Sequence, residues 1–145
     1  MANSLTIRGN IPDPQKALRI AKRRIPMIVA NTAKNHFLEG FRKGGGQTDA
    51  SRGGWKQRKK PRGRRAARRE TGRNILVDTG QLRNDIDTRR TTFEEIVIGT
   101  LNTKYGIYHN EGTENHPQRE FLGDSRVLDK KVKRIVNKEL KKAFK

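Results

Sequence analysis

Apolar residues recur at helical spacing near the start of the sequence and form one stripe: Leu18, Ala21, Ile25, Ile28, Val29, Ala33, Phe37 and Phe41. Residues three and four positions apart share a helix face, so this stripe predicts a long amphipathic helix. Asp13 and Pro14 suit its start, because aspartate can cap the first turn and proline needs no partner for a missing N–H. Pro26 predicts a kink or a split, and the glycines at 44–46 predict the end.

A second helical stripe lies towards the other end of the sequence: Leu128, Val132, Ile135, Val136, Leu140 and Phe144. Asp124 or Ser125 suits its start, because either side chain can accept hydrogen bonds from the first turn. The last turn carries three lysines, which the negative end of a helix dipole favours: Lys141, Lys142 and Lys145. The pattern therefore predicts a C-terminal amphipathic helix.

Alternation of apolar and polar residues predicts strands between and before these helices. Residues 5–8 alternate and predict a short strand. Residues 86–91 and 93–100 predict a strand pair, in which Ile96 and Ile98 share one face.

Three further segments have the composition of turns and loops. Residues 78–82 combine a capping residue, a glycine and an apolar residue, which predicts a tight turn that enters a short helix. Residues 105–112 form a compact aromatic segment that ends in glycine, and residues 117–122 are predicted to be extended.

Length and composition restrict the class of protein. The 145 residues predict one domain. The absence of cysteine excludes disulfides and thiolate metal sites. No run approaches the roughly 20 apolar residues of a membrane span, and the first residues lack the pattern of a secretion signal. We therefore expect a protein made in a cytoplasm, with no membrane partner.

Positive charge is concentrated in one stretch. The net charge is +19, and about half of it lies within residues 52–73, which contain one acid, Glu70. The basic residues there are Arg52, Lys56, Arg58, Lys59, Lys60, Arg62, Arg64, Arg65, Arg68, Arg69 and Arg73. Residues 42–74 contain few apolar side chains, so we expect a basic insert that adds almost nothing to the core and stays mobile until an anionic partner covers it.

The basic insert predicts contact with a polyanion or an acidic partner. Arginine and lysine clusters bind phosphates by Coulomb attraction and counterion release. Trp55 is the single aromatic residue among these charges, which argues against recognition by base stacking. Contact with a DNA or RNA backbone, contact with acidic protein neighbours and plain solvation remain alternatives at this point.

Catalytic patterns are weak. His109, Asn110 and His116 faintly suggest a nuclease of the His-Asn-His type, but a fold or surface role for these residues is favoured. None of the serines lies in a nucleophile elbow, and the glycines at 44–46 do not begin a phosphate-binding loop. The residues thus predict no catalytic site, no cofactor and no metal.

Six motifs follow one another in a fixed order. They are Trp55 after two glycines, Ile75-Leu76, Thr79-Gly80-Gln81-Leu82, Ile96-Val97-Ile98-Gly99-Thr100, Tyr105-Gly106-Ile107-Tyr108-His109-Asn110-Glu111-Gly112 and Pro117-Gln118-Arg119-Glu120-Phe121-Leu122-Gly123. The order and spacing resemble the phage virion morphogenesis family, the tail-completion or head–tail joining proteins of tailed bacteriophages. The sequence departs from the family in its arginine-rich insert and in the run before His109.

The resemblance implies both a fold and a function. It implies an α+β fold in which a small antiparallel sheet packs against a long, kinked N-terminal helix and a C-terminal helix, in agreement with the elements above. It implies a non-enzymatic virion protein that is made in the bacterial host and forms a ring, commonly six-fold, in the neck. The implied partners are the head-side connector or adaptor and the tail terminator or tail-tube proteins, with packaged DNA as a further contact. The alternative is a small nucleic-acid-binding protein that uses the basic insert.

The motif residues are predicted to serve mainly the fold and assembly: Trp55, Thr79, Gly80, Leu82, Gly99, Tyr105, Tyr108, His109, Gly112, Pro117, Arg119, Phe121 and Leu122. We expect the three glycines to serve turns or close backbone approach. We expect the two tyrosines and the phenylalanine to anchor loops on the core. The arginine is expected to pair with a carboxylate of the same or a neighbouring subunit.

Overall fold

A computed structural model of the protein describes residues 13–59, Gly63 and residues 74–145. Its elements are α1 (Pro14–Lys43), α2 (Gln81–Asn84), β1 (Ile86–Thr91), β2 (Ile96–Thr100), α3 (Gly106–Glu111) and α4 (Arg126–Ala143). The described part has the predicted α+β fold, with a two-stranded antiparallel sheet, a long N-terminal helix and a C-terminal helix. The strand predicted at residues 5–8 lies outside the described residues.

The long helix α1 begins and ends at the predicted signals. The Asp13 carboxylate accepts a hydrogen bond from the backbone N–H of Gln15 at 2.9 Å, and Gly44 ends the helix with a left-handed φ of 67°. The helix continues through Pro26, so the predicted split does not occur. Ile25 and Val29 on either side of this proline are buried, and their packing stabilises the helix where one backbone hydrogen bond is missing.

Helices α1 and α4 pack together around one hydrophobic cluster. Buried Ala21, Ile25 and Val29 of α1 contact partly buried residues of α4: Val132, Ile135, Val136, Leu140 and Ala143. The Ser125 hydroxyl caps α4 by accepting a hydrogen bond from the N–H of Leu128, as predicted. This cluster is one of the two hydrophobic cores in the described part of the fold.

The sheet consists of β1 and β2, with Ile86 opposite Thr100 and Thr91 opposite Ile96. Ile98 packs against one hydrophobic cluster and Ile96 against the other. The two isoleucines therefore share the buried face of the sheet, as their spacing predicts, and the sheet lies against both cores.

The second strand begins at Ile96, three residues later than predicted. The N–H of Thr92 donates to the carbonyl of Glu95 at 2.8 Å, which closes a tight turn over residues 92–95. Phe93 consequently lies in the turn, is exposed, and has the Lys22 ammonium 5.8 Å from its ring centroid. Turn closure thus accounts for the shorter strand.

The second core includes part of the predicted basic insert. Its buried residues are Phe41, Trp55, Ile75, Leu82, Ile86 and Phe121. Trp55 is only 4% exposed, and Thr48 and Ser51 before it are also buried. The expectation that residues 42–74 add almost nothing to the core is therefore wrong for residues 44–59. Burial of the large Trp55 side chain packs this segment against the core.

His36 of α1 joins three segments of the chain. Its Nε2 lies 3.1 Å from the carbonyl oxygen of Gln47 and 2.9 Å from the hydroxyl of Ser125. A carbonyl can only accept, so Nε2 carries a proton. Burial lowers the pKa of His36 below its ordinary value of 6.5, and the imidazole is therefore neutral at neutral pH.

Candidate functional site

The Asn110 side chain connects two of the sequence motifs. Its Oδ1 accepts hydrogen bonds from the backbone N–H groups of Phe121 and Leu122, each at 3.0 Å. Its Nδ2 donates to the carbonyl of Leu122, also at 3.0 Å. One amide thereby holds helix α3 against the loop at 117–123. This role of Asn110 was not predicted from the sequence, although its position inside the longest motif indicated that the residue matters for the fold.

Three motif residues have the predicted fold role, because Trp55, Leu82 and Phe121 are buried in one core. The indole Nε1–H of Trp55 donates to the carbonyl of Glu120 at 2.9 Å. The ring of Phe41 lies between Trp55 and Phe121, with centroid distances of 5.4 and 5.6 Å. Leu122 packs against the same core from a partly buried position.

The predicted glycine roles hold at two of three positions. Gly80 and Gly112 both have a φ of 80°, which other residues rarely adopt. A Cβ atom on Gly112 would also lie 2.9 Å from the backbone nitrogen of Gln118. Gly99 is different: it lies within β2, and a Cβ there would meet only the Arg89 side chain at ordinary contact distances. The prediction of a turn or close backbone approach is wrong for Gly99.

The two tyrosines do not anchor loops on the core. Tyr105 is 41% exposed and Tyr108 is 57% exposed. The core-facing position of α3 belongs to Gly106, where a Cβ would be 3.1 Å from Leu82 and 3.4 Å from Phe121. Helix α3 has only six residues, so with Gly106 at the core both tyrosines lie at the surface. The prediction that they anchor loops on the core is therefore wrong.

Motif residues line a cleft of about 220 Å³. One wall is the segment 76–82, which ends in the first residues of α2. The other walls are the side chains of Tyr105, His109, Arg58 and Arg119. The cleft therefore brings together Thr79, Gly80, Leu82, Tyr105, His109 and Arg119 from three separate motifs.

Positive charge accumulates beside this cleft. Burial lowers the pKa of Arg119, and the nearby positive charge of Arg58 lowers it further. Burial and the charges of Arg119 and His116 lower the pKa of His109, so its imidazole is neutral at neutral pH. His109 Nδ1 is buried and has no hydrogen-bond partner within the described residues. The cleft thus brings the Arg119 guanidinium and a neutral imidazole together with the carboxyl group of Asp78.

Arg119 does not make the predicted ion pair within the chain. Its Nε donates to the carbonyl of Lys56 at 2.9 Å, and its backbone N–H donates to the carbonyl of His109 at 2.7 Å. Across residues 13–59 and 74–145, no carboxylate lies within 4 Å of its guanidinium. Pairing within the same subunit is therefore wrong for the described part, and pairing with a neighbouring subunit stays a prediction. Pro117 lies in the same loop, and it lines the surface where that loop meets residues 56–59.

The structure describes four of the eleven basic residues of the insert. Arg52 pairs with Asp49 at 3.2 Å, and Arg58 donates to the carbonyl of Asn74 at 2.8 Å, while Lys56 and Lys59 are exposed. The other seven lie outside the described residues: Lys60, Arg62, Arg64, Arg65, Arg68, Arg69 and Arg73. Polyanion contact by these seven stays a prediction.

The weak nuclease pattern does not assemble into a three-ligand metal site in the described residues. The rings of His109 and His116 lie 6.1 Å apart, but Asn110 turns its amide to the backbone of residues 121–122. Over these residues, no group of three His, Asp or Glu side chains is placed to hold a metal ion. In the same part of the chain, none of the helices combines the length and apolar content of a membrane span.

Comparison of the chain with protein-family models, with curated proteins and with solved structures gives no match. The functional argument therefore rests on the residues themselves and on the surfaces that they form.

Proposed function

We propose that this chain is a non-enzymatic virion protein of a tailed bacteriophage, which forms a ring in the neck and joins the tail to the head connector. The observation that carries the proposal is the arrangement of the motif residues. Some of them build one core, while Tyr105 and Tyr108, with Ile107 between them, leave an exposed apolar surface on and beside α3. Such a surface is typical of a protein that is completed by a neighbour.

A second exposed apolar group lies on a different element. Ile20 and Met27 of α1, which are seven residues apart and share a helix face, are 42% and 61% exposed. Leu18 is also exposed, but it lies on the opposite side of the helix. A closed ring needs two unlike surfaces on each subunit, because every subunit contacts its neighbours head to tail. Contact between the α3 surface of one subunit and the α1 surface of the next satisfies this requirement.

The other partners of the ring are those expected for a protein in the neck of the virion. The ring contacts the connector or adaptor on the head side and the tail terminator or tail-tube protein on the other. Packaged DNA passes through such a ring. The guanidinium of Arg119 in the cleft then donates hydrogen bonds to a carboxylate of the adjacent subunit, because a guanidinium matches carboxylate geometry.

Deletion of the gene in the encoding phage tests the proposal, with particles counted by electron microscopy. We expect separate heads and tails in the deletion, and joined particles when the wild-type gene is supplied from a plasmid. Tyr108→Glu and Met27→Glu each place a charge on one apolar surface and should not restore joining. Asn35→Glu adds the same charge at an exposed polar position of α1 and should restore it. Joined particles without the gene, or full rescue by both surface variants, would overturn the proposal.

A further inference from the structure

The outward side of α4 has a continuous row of positive charge. Four of its cations belong to α4, Lys130, Arg134, Lys138 and Lys141, and Lys145 follows two residues after the end of the helix; all five are exposed. The last four line one open groove together with Asn137 and Lys142, so they lie on a common face. The apolar residues of α4 in the hydrophobic cluster point the other way, towards α1, whereas Val127 is exposed. We call the face formed by these five cations the basic face of α4.

No acidic group within the described residues neutralises the basic face. None of its five cations has a carboxylate within 4 Å in that part of the chain. Glu139 is buried and pairs instead with Lys142 at 2.8 Å and Arg24 at 3.9 Å. The charge of the face is therefore available to a partner.

The spacing of the charges fits a phosphate backbone. At 1.5 Å per helical residue, Lys130 to Lys141 span about 16 Å. One strand of a DNA duplex carries a phosphate every 3.4 Å along the axis and winds around that axis, so only some of the roughly five phosphates in this length face the helix. The four cations of the face within this length are thus enough for the phosphates that they meet.

The residue types favour nucleic acid over an acidic protein. Four of the five cations are lysines, and lysine is depleted in protein–protein interfaces, where arginine and aromatic residues are enriched. Between Arg134 and Lys141 the groove is lined only by Asn137 and cations, and the exposed apolar residues Val127 and Phe144 lie beyond the two ends of this stretch. The middle of the face therefore has no apolar anchor for a protein partner. The same stretch has no aromatic residue on which an unpaired base could stack.

We propose that the basic face of α4 binds the phosphate backbone of a nucleic-acid duplex without base specificity. This inference concerns different residues from the arginine-rich insert. It does not rest on the neck function, because it concerns binding by the purified protein. A failure of head–tail joining and a failure of duplex binding are therefore separate results.

The test is fluorescence anisotropy of a labelled 20-base-pair DNA duplex, titrated with the full chain over a range of salt concentrations. The variant Arg134→Gln/Lys138→Gln/Lys141→Gln removes three cations and keeps good helix formers at exposed positions. Each phosphate contact contributes about −0.9 to the slope of log K against log salt, so the slope of this variant should be less steep by about 2.7. We expect at least a tenfold loss of affinity at low salt.

A second variant controls for net charge. Arg42→Gln/Arg83→Gln/Lys104→Gln removes the same charge from positions outside the basic face, and we expect less than a twofold change in affinity. Circular dichroism at 222 nm and the melting temperature should match the wild type for both variants. If this control variant changes the salt slope as much as the α4 variant does, the proposal is overturned.

Two further measurements distinguish the proposal from binding by the basic insert and from binding to an acidic protein. Arg64→Ala/Arg65→Ala/Arg68→Ala/Arg69→Ala removes cations of the insert, and loss of duplex binding in this variant alone would overturn the assignment to α4. Labelled polyglutamate is the probe for an acidic protein. Equal affinity for polyglutamate and duplex, lost together in the α4 variant, would overturn the choice of nucleic acid, as would failure of the wild type to bind the duplex.

Discussion

Replacement of Asn110 by alanine should destabilise the whole fold, although the residue is only partly buried. The change removes all three hydrogen bonds between this side chain and the backbone of residues 121–122. The two N–H groups and the carbonyl that lose their partner lie in a part-buried loop. Phe121 in that loop is a core residue, so the loop cannot move away without opening the core.

The magnitude follows from the number of bonds. A hydrogen bond inside a protein contributes about 1 kcal/mol net, so three of them give a loss of about 3 kcal/mol. Domains of this size unfold with about 5–15 kcal/mol, which makes the loss a large fraction of the total. The corresponding fall in melting temperature is roughly 10 °C.

Urea denaturation followed by circular dichroism measures this loss. Asn110→Ala should lower the midpoint and leave the m-value unchanged, because the surface exposed on unfolding is nearly the same. Asn110→Asp keeps an oxygen that accepts from both N–H groups, but it loses the donor to Leu122 and sets a carboxylate oxygen against that carbonyl. We therefore expect a loss of at least about 1 kcal/mol for this variant. Asn137→Ala is the control, at an exposed position of α4. If Asn110→Ala unfolds within about 0.5 kcal/mol of the wild type, the reasoning about this amide is refuted.

Three other changes probe separate parts of the fold. Trp55→Phe keeps an aromatic ring but removes the hydrogen bond to Glu120, and urea titration should show a loss of about 1–2 kcal/mol; an unchanged midpoint would contradict this. Gly112→Ala places a Cβ against Gln118 at a positive φ, so calorimetry should show destabilisation by at least about 1 kcal/mol rather than an unchanged melting temperature. Because the pKa of His36 is lowered in the fold, stability is fully present above the unfolded value of about 6.5 and falls as pH drops below it. His36→Gln should reduce this slope between pH 7 and 5, and an identical slope would assign it to other groups.

The helices were predictable because their signals are local. The apolar stripe of α1 and its caps at Asp13 and Gly44 lie within a few residues of the structure that they specify. The same holds for Ser125 at the start of α4 and for the turn at Gly80. Each of these residues acts through hydrogen bonds or dihedral angles within a few residues of its own position. The residue types in that short stretch are therefore enough to predict the cap or the turn.

The candidate site was less predictable because its contacts are distant in sequence. Trp55 meets Glu120, and its surroundings of arginines and lysines indicated an exposed segment. Asn110 bonds to residues 121–122 across the loop, a contact for which no local pattern exists. The exposure of Tyr108 depends on Gly106 taking the inward position of α3, which aromatic content alone did not indicate.

The packing of α1 against α4 also sets an order of events during synthesis. The apolar residues Ala21, Ile25 and Val29 leave the ribosome long before their partners in α4 have been translated. At about 5–20 residues per second, the roughly 100 residues from Lys43 to Ala143 take about 5–20 s. For that time the nascent chain has an uncovered apolar helix face, so the yield of folded protein should depend on chaperones that shield such faces until translation is complete.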